Sequence, residues 1–175
     1  MYVEDKKILT LMMITKNLNA QILLGMKRHG FGKLKWNGFG GKVEKNEGIY
    51  SAAVREVKEE CGLDIIKAKF FGLITFEYEI DNKHPMHVHI FKSEEFEGTP
   101  IETDEMRPKW FDFDKIPYEQ MWKDDMYWYP YLFTGKYFYG KFLFGDYETI
   151  ISHELKEIKE EELYNLQKVK VQHKL

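Results

Sequence analysis

Apolar residues fall in strand-length blocks through most of the chain, and a block of helical composition interrupts them early. Residues 8–15 and 21–26 are two such blocks. Lys16-Asn17-Leu18-Asn19 between them holds turn formers, so the pair reads as a hairpin. From Gly30 to Gly41 glycines recur too often for a regular element, and the stretch reads as a flexible loop. The composition then turns to Ala, Val, Lys and Glu, which predicts a helix over residues 48–61 with Gly62 as its stop. Residues 70–80 and 86–92 read as strands joined by the polar turn Asp81-Asn-Lys-His-Pro85. Further strand-like runs cover 110–113 and 137–144, with a short helix at 127–133 between them. Beyond about residue 157, Leu155, Ile158, Leu163, Leu166 and Val169 fall at helical intervals among Lys and Glu. That pattern fits an amphipathic helix on the body or a charged tail, and the charge density favours a solvated appendage. Strands with few helices predict the α/β (α+β) class, a mixed sheet with helices packed against it.

Composition narrows the function. With 26 Lys+Arg against 29 Asp+Glu and a net charge of -3, the chain lacks the basic excess of a duplex-binding protein. A single cysteine, Cys61, forms no internal disulfide, which points to a reducing, cytoplasmic setting. No run of roughly 18 apolar residues occurs, and residues 1–7 do not read as a secretory leader, so no membrane partner is expected. Of 28 aromatic residues, 22 lie between Phe70 and Tyr147. Most such rings belong to a core, yet the same skew suits a pocket for a flat base.

The segment from Gly41 to Leu63 carries the chemistry. In a helix, Glu56 shares a face with Glu59 and Glu60, while Ala53 and Val57 turn inward. Like charges at that spacing repel, and Lys58 points elsewhere. Clustered carboxylates are what a hard divalent cation such as Mg²⁺ requires. The preceding Gly38-Phe39-Gly40-Gly41-Lys42 lets backbone approach a ligand closely. With Lys27 and Lys42 nearby, the combination suggests a metal-bridged polyphosphate site, and it is no Walker loop.

These residues resemble the Nudix hydrolases. The family's box runs Gly, five residues, Glu, seven residues, Arg-Glu, an apolar residue, any residue, Glu-Glu, any residue, Gly and an apolar residue. Gly41, Glu47, Arg55, Glu56, Val57, Glu59, Glu60, Gly62 and Leu63 match it without a gap. A chance match is rarer than roughly one in 10⁷ start positions, so the motif decides the reading. Leu23-Leu-Gly-Met-Lys27, Trp36-Asn-Gly-Phe-Gly-Gly-Lys42, Asp104-Glu-Met-Arg-Pro108 and Met121-Trp122 with Asp124-Asp125 extend the likeness to the family's animal-type branch for oxidised purine nucleotides.

The resemblance implies a Nudix α/β/α sandwich over residues 1–158, followed by a charged tail or helix over 159–175. It implies Mg²⁺-dependent hydrolysis, with Mn²⁺ an alternative cation, of oxidised purine (deoxy)nucleoside triphosphates such as 8-oxo-dGTP and 2-hydroxy-dATP to monophosphate and pyrophosphate. The alternatives are another modified purine triphosphate, such as O6-methyl-dGTP, or a nucleotide-binding module without catalysis. Metal ligands would be Glu56, Glu59, Glu60, Glu105 and the Gly40 carbonyl, the three helix glutamates also serving catalysis. Glu47 and Arg55 would brace loop against helix. Asn37 would meet one purine edge, Asp124 and Asp125 the Watson–Crick edge, and Trp122 the ring face. Thr10, Lys27, Phe31, Phe39, Gly40, Gly41, Lys42, Phe76, Met86, Trp128 and Phe144 would complete the nucleotide site. The expected partner is a nucleotide, not a nucleic acid, and the expected state a monomer.

Three other features carry less. His87 and His89 alternate on one strand face without a third ligand at useful spacing. Cys61 reads as a small packing residue. Gly30-Phe31-Gly32 is a turn, since the strand-to-helix context of a dinucleotide fingerprint is missing.

Overall fold

A computed structural model describes residues 7–80 and 84–171, with side chains up to 168. The N-terminal stretch before Lys7, the first part of the turn at 81–85 and the end of the predicted tail lie outside the described residues, as does the Val169 side chain.

Among the described residues, eight strands form one sheet: β1 (Lys7–Lys16), β2 (Gln21–Lys27), β3 (Trp36–Asn37), β4 (Asp64–Tyr78), β5 (Met86–Glu97), β6 (Met106–Asp112), β7 (Phe138–Phe144) and β8 (Ile150–Glu157). The order is β3-β2-β1-β5-β4-β7-β8, with β6 along the other side of β2. β1 runs parallel to β5 and β4 parallel to β7, while β1–β2, β4–β5 and β7–β8 are antiparallel, so the sheet is mixed. Three helices among the described residues pack on it: α1 (Ile49–Cys61), α2 (Asp125–Phe133) and α3 (Glu160–Val171).

Period-two alternation splits the apolar residues into two cores. Met12, Leu23, Phe70, Leu73 and Phe91 face Ala53, Val57 and Cys61 of α1. Their chain neighbours Met13, Leu24, Phe71, Ile74 and Ile90 face Trp128, Tyr129 and Leu132 of α2. A helix on each face makes the expected sandwich. Gly62, at φ 77, ends α1 by giving its N–H to the Lys58 carbonyl.

Two expectations need correction. The glycine-rich stretch is ordered rather than flexible. The β1–β2 hairpin pairs only at its closed end, from Ile14–Leu23 to Lys16–Gln21, and then splays. Residues 36–43 fill the opening: β3 pairs with β2, while the Met12 and Phe39 backbones exchange bonds of 2.6 and 3.1 Å. Thr10 N–H donates to the Gly41 carbonyl (2.8 Å) and Val43 N–H to that of Ile8 (3.1 Å). A Cβ on Gly40 would overlap the Thr10 carbonyl, so glycine serves close approach there.

Beyond residue 157 the chain is not simply solvated. Residues 150–157, Leu155 included, form edge strand β8, which carries the chain back across β7 and delivers α3 to the α1 face. There Leu163 is fully buried, Ile158 and Leu166 pack beside it, and the Tyr164 ring meets Phe70 at 5.5 Å. Among the described residues, no helix is long and apolar enough to cross a membrane.

Candidate active site

Helix α1 presents Glu56, Glu59 and Glu60 toward the glycine stretch that wedges β1 from β2. Glu60 is 6% exposed and accepts the Gly40 N–H at Oε2 (3.1 Å). A Cβ on Gly41 would sit 2.5 Å from Glu56 Oε1, so Gly41 leaves room for that carboxylate. Arg55 supplies the compensation that the lysines do not. Its Nε and Nη2 donate to Glu47 (2.7 and 3.0 Å), and Nη1 donates to Glu56 (3.0 Å) and Glu59 (3.1 Å). Glu47 also accepts the Glu44 N–H (3.0 Å), which closes the loop before the helix. Lys58 instead reaches Asp64 (2.8 Å).

Electrostatics separate these acids. The Arg55 guanidinium, seconded by the Glu44 amide, holds Glu47 below the usual carboxylate range. Burial raises Glu56 despite Arg55, with Glu59 and Glu105 adding to the rise. Burial pushes Glu60 up to about 8, helped by Glu56 and Glu105 and opposed by the Gly40 amide and Lys27. Glu105 comes from the loop before β6, and Thr103 ties that loop to α1. The Thr103 hydroxyl donates to the Glu60 carbonyl (2.9 Å) and accepts the Glu105 and Met106 amides (3.3 and 3.2 Å).

Among the described residues, no three acid, His or Cys side chains are gathered closely enough to hold a metal. Glu56 and Glu59 are turned to Arg55, and Glu60 to Gly40. The donor set still fits a hard divalent cation: carboxylate oxygens of one helix, one of them buried beside two other acids, at a strip of exposed backbone.

On the other side of that strip lies a cavity of about 570 Å³, within the range of ligand pockets. Gly40, Gly41, Lys27 and Lys42 line it, so the acid helix and the cavity share one wall. Its floor comes from alternate residues of three strands in register: Leu9 and Leu11 of β1, Met86, Val88 and Ile90 of β5, and Ile74, Phe76 and Tyr78 of β4. Thr10, Phe31, Asn37, Trp122, Asp124, Asp125 and Trp128 also line the cavity. Phe39 and Phe144 do not. Phe39 is buried in the core under α1, and Phe144 backs Phe76 (6.2 Å) and Tyr78 (5.4 Å).

Asp124 and Asp125 are 4% and 2% exposed at the start of α2. Trp128 Nε1 donates to Asp124 Oδ2 at 2.9 Å. Burial raises both acids well above the usual carboxylate range, with that bond pulling Asp124 back and the Asp124 charge pushing Asp125 up further. Asp125 Oδ2 and Thr10 Oγ1 are buried without a hydrogen-bond partner among the described residues, and Asp125 stands on the cavity wall, where a ligand can meet it.

The discounted features are internal. His87 Nδ1 bonds the Thr75 hydroxyl (3.0 Å), and the His89 ring stacks on Phe70 (5.5 Å). Cys61 is buried, and burial pushes its thiol up to about 11, which disfavours the thiolate. Sequence reasoning missed Thr103, Tyr78 and Tyr147. Tyr78 follows Ile74 and Phe76 in period two and was within reach of that pattern; Thr103 and Tyr147 depend on contacts between distant loops.

Comparison with known proteins agrees with this geometry. The NUDIX domain model matches residues 8–132. The oxidized purine nucleoside triphosphate hydrolase of Danio rerio is 47% identical over 154 residues, spanning 88% of this chain and 97% of its own. The Mus musculus protein of the same name is 47% identical over 138 residues, spanning 79% and 88%. Among solved structures, a MutT protein from Bacillus halodurans superposes with a TM-score of 0.75 at 23% identity, covering 86% of this chain and 97% of that one. At that identity the likeness speaks to the fold.

Proposed function

Because this chain belongs to the NUDIX family, we propose that it is a hydrolase of oxidised purine (deoxy)nucleoside triphosphates, 8-oxo-dGTP and 2-hydroxy-dATP among them, releasing the monophosphate and pyrophosphate. One observation carries the reading: a strip of glycines has clustered carboxylates on one side and a base-sized cavity on the other. The base enters the cavity, and the triphosphate runs along the strip toward α1.

Magnesium is the cation that suits these oxygen donors; when bound it neutralises phosphate oxygens and lowers the pKa of the attacking water. Glu56, Glu59, Glu60, Glu105 and the Gly40 carbonyl would hold it. Lys27 and Lys42 add positive charge along the triphosphate. Arg55, gripping Glu47 through two nitrogens, sets the rotamers of Glu56 and Glu59. In the cavity Trp122 stacks on the purine, Asn37 reads one edge, and the aspartates read the other. A protonated acid donates to a purine acceptor and an ionised one accepts from a donor, so a pair split in acidity serves both an oxidised guanine and an oxidised adenine. A nucleotide-pool substrate suits a monomer resident in the cytoplasm.

The test is a panel of 8-oxo-dGTP, 2-hydroxy-dATP, O6-methyl-dGTP and dGTP with product identification. The reading expects pyrophosphate and monophosphate from the oxidised purines, only with a divalent cation. Preferential turnover of dGTP, or metal-independent turnover, would contradict it.

A further inference from the structure

The loop joining β7 to β8, residues 145–149, is tightly built. Asp146 Oδ1 accepts the amides of Glu148 (2.8 Å) and Thr149 (2.6 Å), and Oδ2 accepts the Thr149 hydroxyl (3.2 Å). Gly145 N–H closes the loop on the Thr149 carbonyl at 3.0 Å. This holds Tyr147 against the cavity, whose wall it shares with Phe31 and Trp122. The Tyr147 ring meets Phe31 edge-on at 5.2 Å and Tyr78 at 5.4 Å. Phe31 lies on Trp122 at 4.8 Å and a 32° tilt.

A charged tie crosses the same rim. Lys35 pairs with Glu148 at 2.9 Å and stands 5.0 Å over the Trp122 ring. The loop carrying Phe31 is shaped for this contact. Gly32 has φ 83, and a Cβ there would lie 2.9 Å from Trp122 Cζ2, so glycine alone lets the loop rest on the indole. Phe31 is 54% exposed at the rim, whereas the aspartates are buried deep in the cavity. A flat base seated on the aspartates therefore extends toward Phe31 and Tyr147.

We propose that residues 145–149 form a strap belonging to the nucleotide site, in which Tyr147 gives an aromatic face to the bound purine and the Lys35–Glu148 pair holds that face in place. The proposal rests on the purine triphosphate reading above. It makes Tyr147 a determinant of base affinity, remote from the metal-binding acids and silent toward the chemical step.

The experiment compares wild type, Tyr147→Ala, Tyr147→Phe and Glu148→Gln. It measures KM and kcat on 8-oxo-dGTP, competition by 8-oxo-dGMP, and competition by inorganic triphosphate, which has no base. Tyr147→Ala should raise KM and the 8-oxo-dGMP inhibition constant about tenfold, the loss of one stacking face, with kcat within about twofold. Tyr147→Phe should match wild type, because the ring rather than the hydroxyl is used. Glu148→Gln should weaken binding by about two- to threefold at low salt and less at high salt, as an exposed pair would. Inhibition by inorganic triphosphate should stay unchanged in all variants. A wild-type 8-oxo-dGMP affinity in Tyr147→Ala, or an equal loss for inorganic triphosphate, overturns the strap. A wild-type protein that neither binds nor hydrolyses purine triphosphates overturns the functional reading, and the strap with it.

Discussion

On the α1 face Glu60 is shut in beside Glu56 and Glu105; on the α2 face Asp124 and Asp125 are shut in beside each other, under Trp128. Burial raises the pKa in both places, yet the surroundings differ. Around Glu60 lie an amide, a lysine and an arginine-braced row of glutamates at an open backbone strip. Around the aspartates lie aromatic rings and the Trp128 indole donor, and Asp125 also feels the Trp122 amide and the charge of Lys35. In the proposed reading the first arrangement, at an open backbone strip, is relieved by a divalent cation and the second, closed among rings, by a proton. On that reading, the same cost of burying carboxylate serves catalysis in one place and base recognition in the other.

The largest expected effect is on the cation side. Glu60→Gln should cut turnover of 8-oxo-dGTP about 10³-fold, measured as pyrophosphate release, by removing a buried carboxylate proposed to hold the metal. Its effect on metal-free stability should have the opposite sign. A pKa raised from 4.5 to about 8 on folding means that Glu60 favours the fold below the lower value and loses that contribution as pH rises through the upper one. The wild-type melting temperature without metal should therefore fall between pH 5 and 9, and Glu60→Gln should flatten the fall. Magnesium should raise the wild-type value at pH 8 far more than at pH 5.

The aspartates should respond to pH without responding to metal. Asp124→Asn and Asp125→Asn should each change the ratio of 8-oxo-dGTP to 2-hydroxy-dATP turnover by about tenfold, the scale of a lost hydrogen bond to a charged group. In wild type the ratio should shift with pH as this buried pair, held above the usual carboxylate range, titrates. A wild-type ratio in both variants from pH 5 to 9 would break the contrast between the two faces.

Smaller effects sharpen the comparison. Arg55→Lys keeps the charge but loses the fork that grips Glu47, so turnover should fall about tenfold with base preference unchanged. Leu163→Ala, in the core beneath α1 and on no wall of the cavity, should leave KM at wild type and cost about 2–4 kcal/mol of stability in denaturant unfolding.

Much of this was legible because it is local. The α1 carboxylates share a face by helical period, and Gly62 marks the helix end in the residues themselves. The strand floor of the cavity follows from alternation along β1, β4 and β5. What escaped was set by distant contacts. Edge strand β8 is mostly exposed and polar, so no apolar alternation announces it. Gly38 to Lys42 looked slack because its hydrogen-bond partners lie some thirty residues earlier, on β1. The helical spacing of Leu163 shows in the charged C-terminal segment, but the core it enters, shared by α1 and the sheet, does not.

The central claim is that the acids of α1 act with a divalent cation on a triphosphate whose base sits across the glycine strip. It is tested most directly by pyrophosphate release from 8-oxo-dGTP, with magnesium and with chelator, in wild type and Glu60→Gln. The account predicts release in wild type with magnesium alone, and loss of about three orders of magnitude in the variant. Equal release with chelator, or a Glu60→Gln rate near wild type, would contradict it.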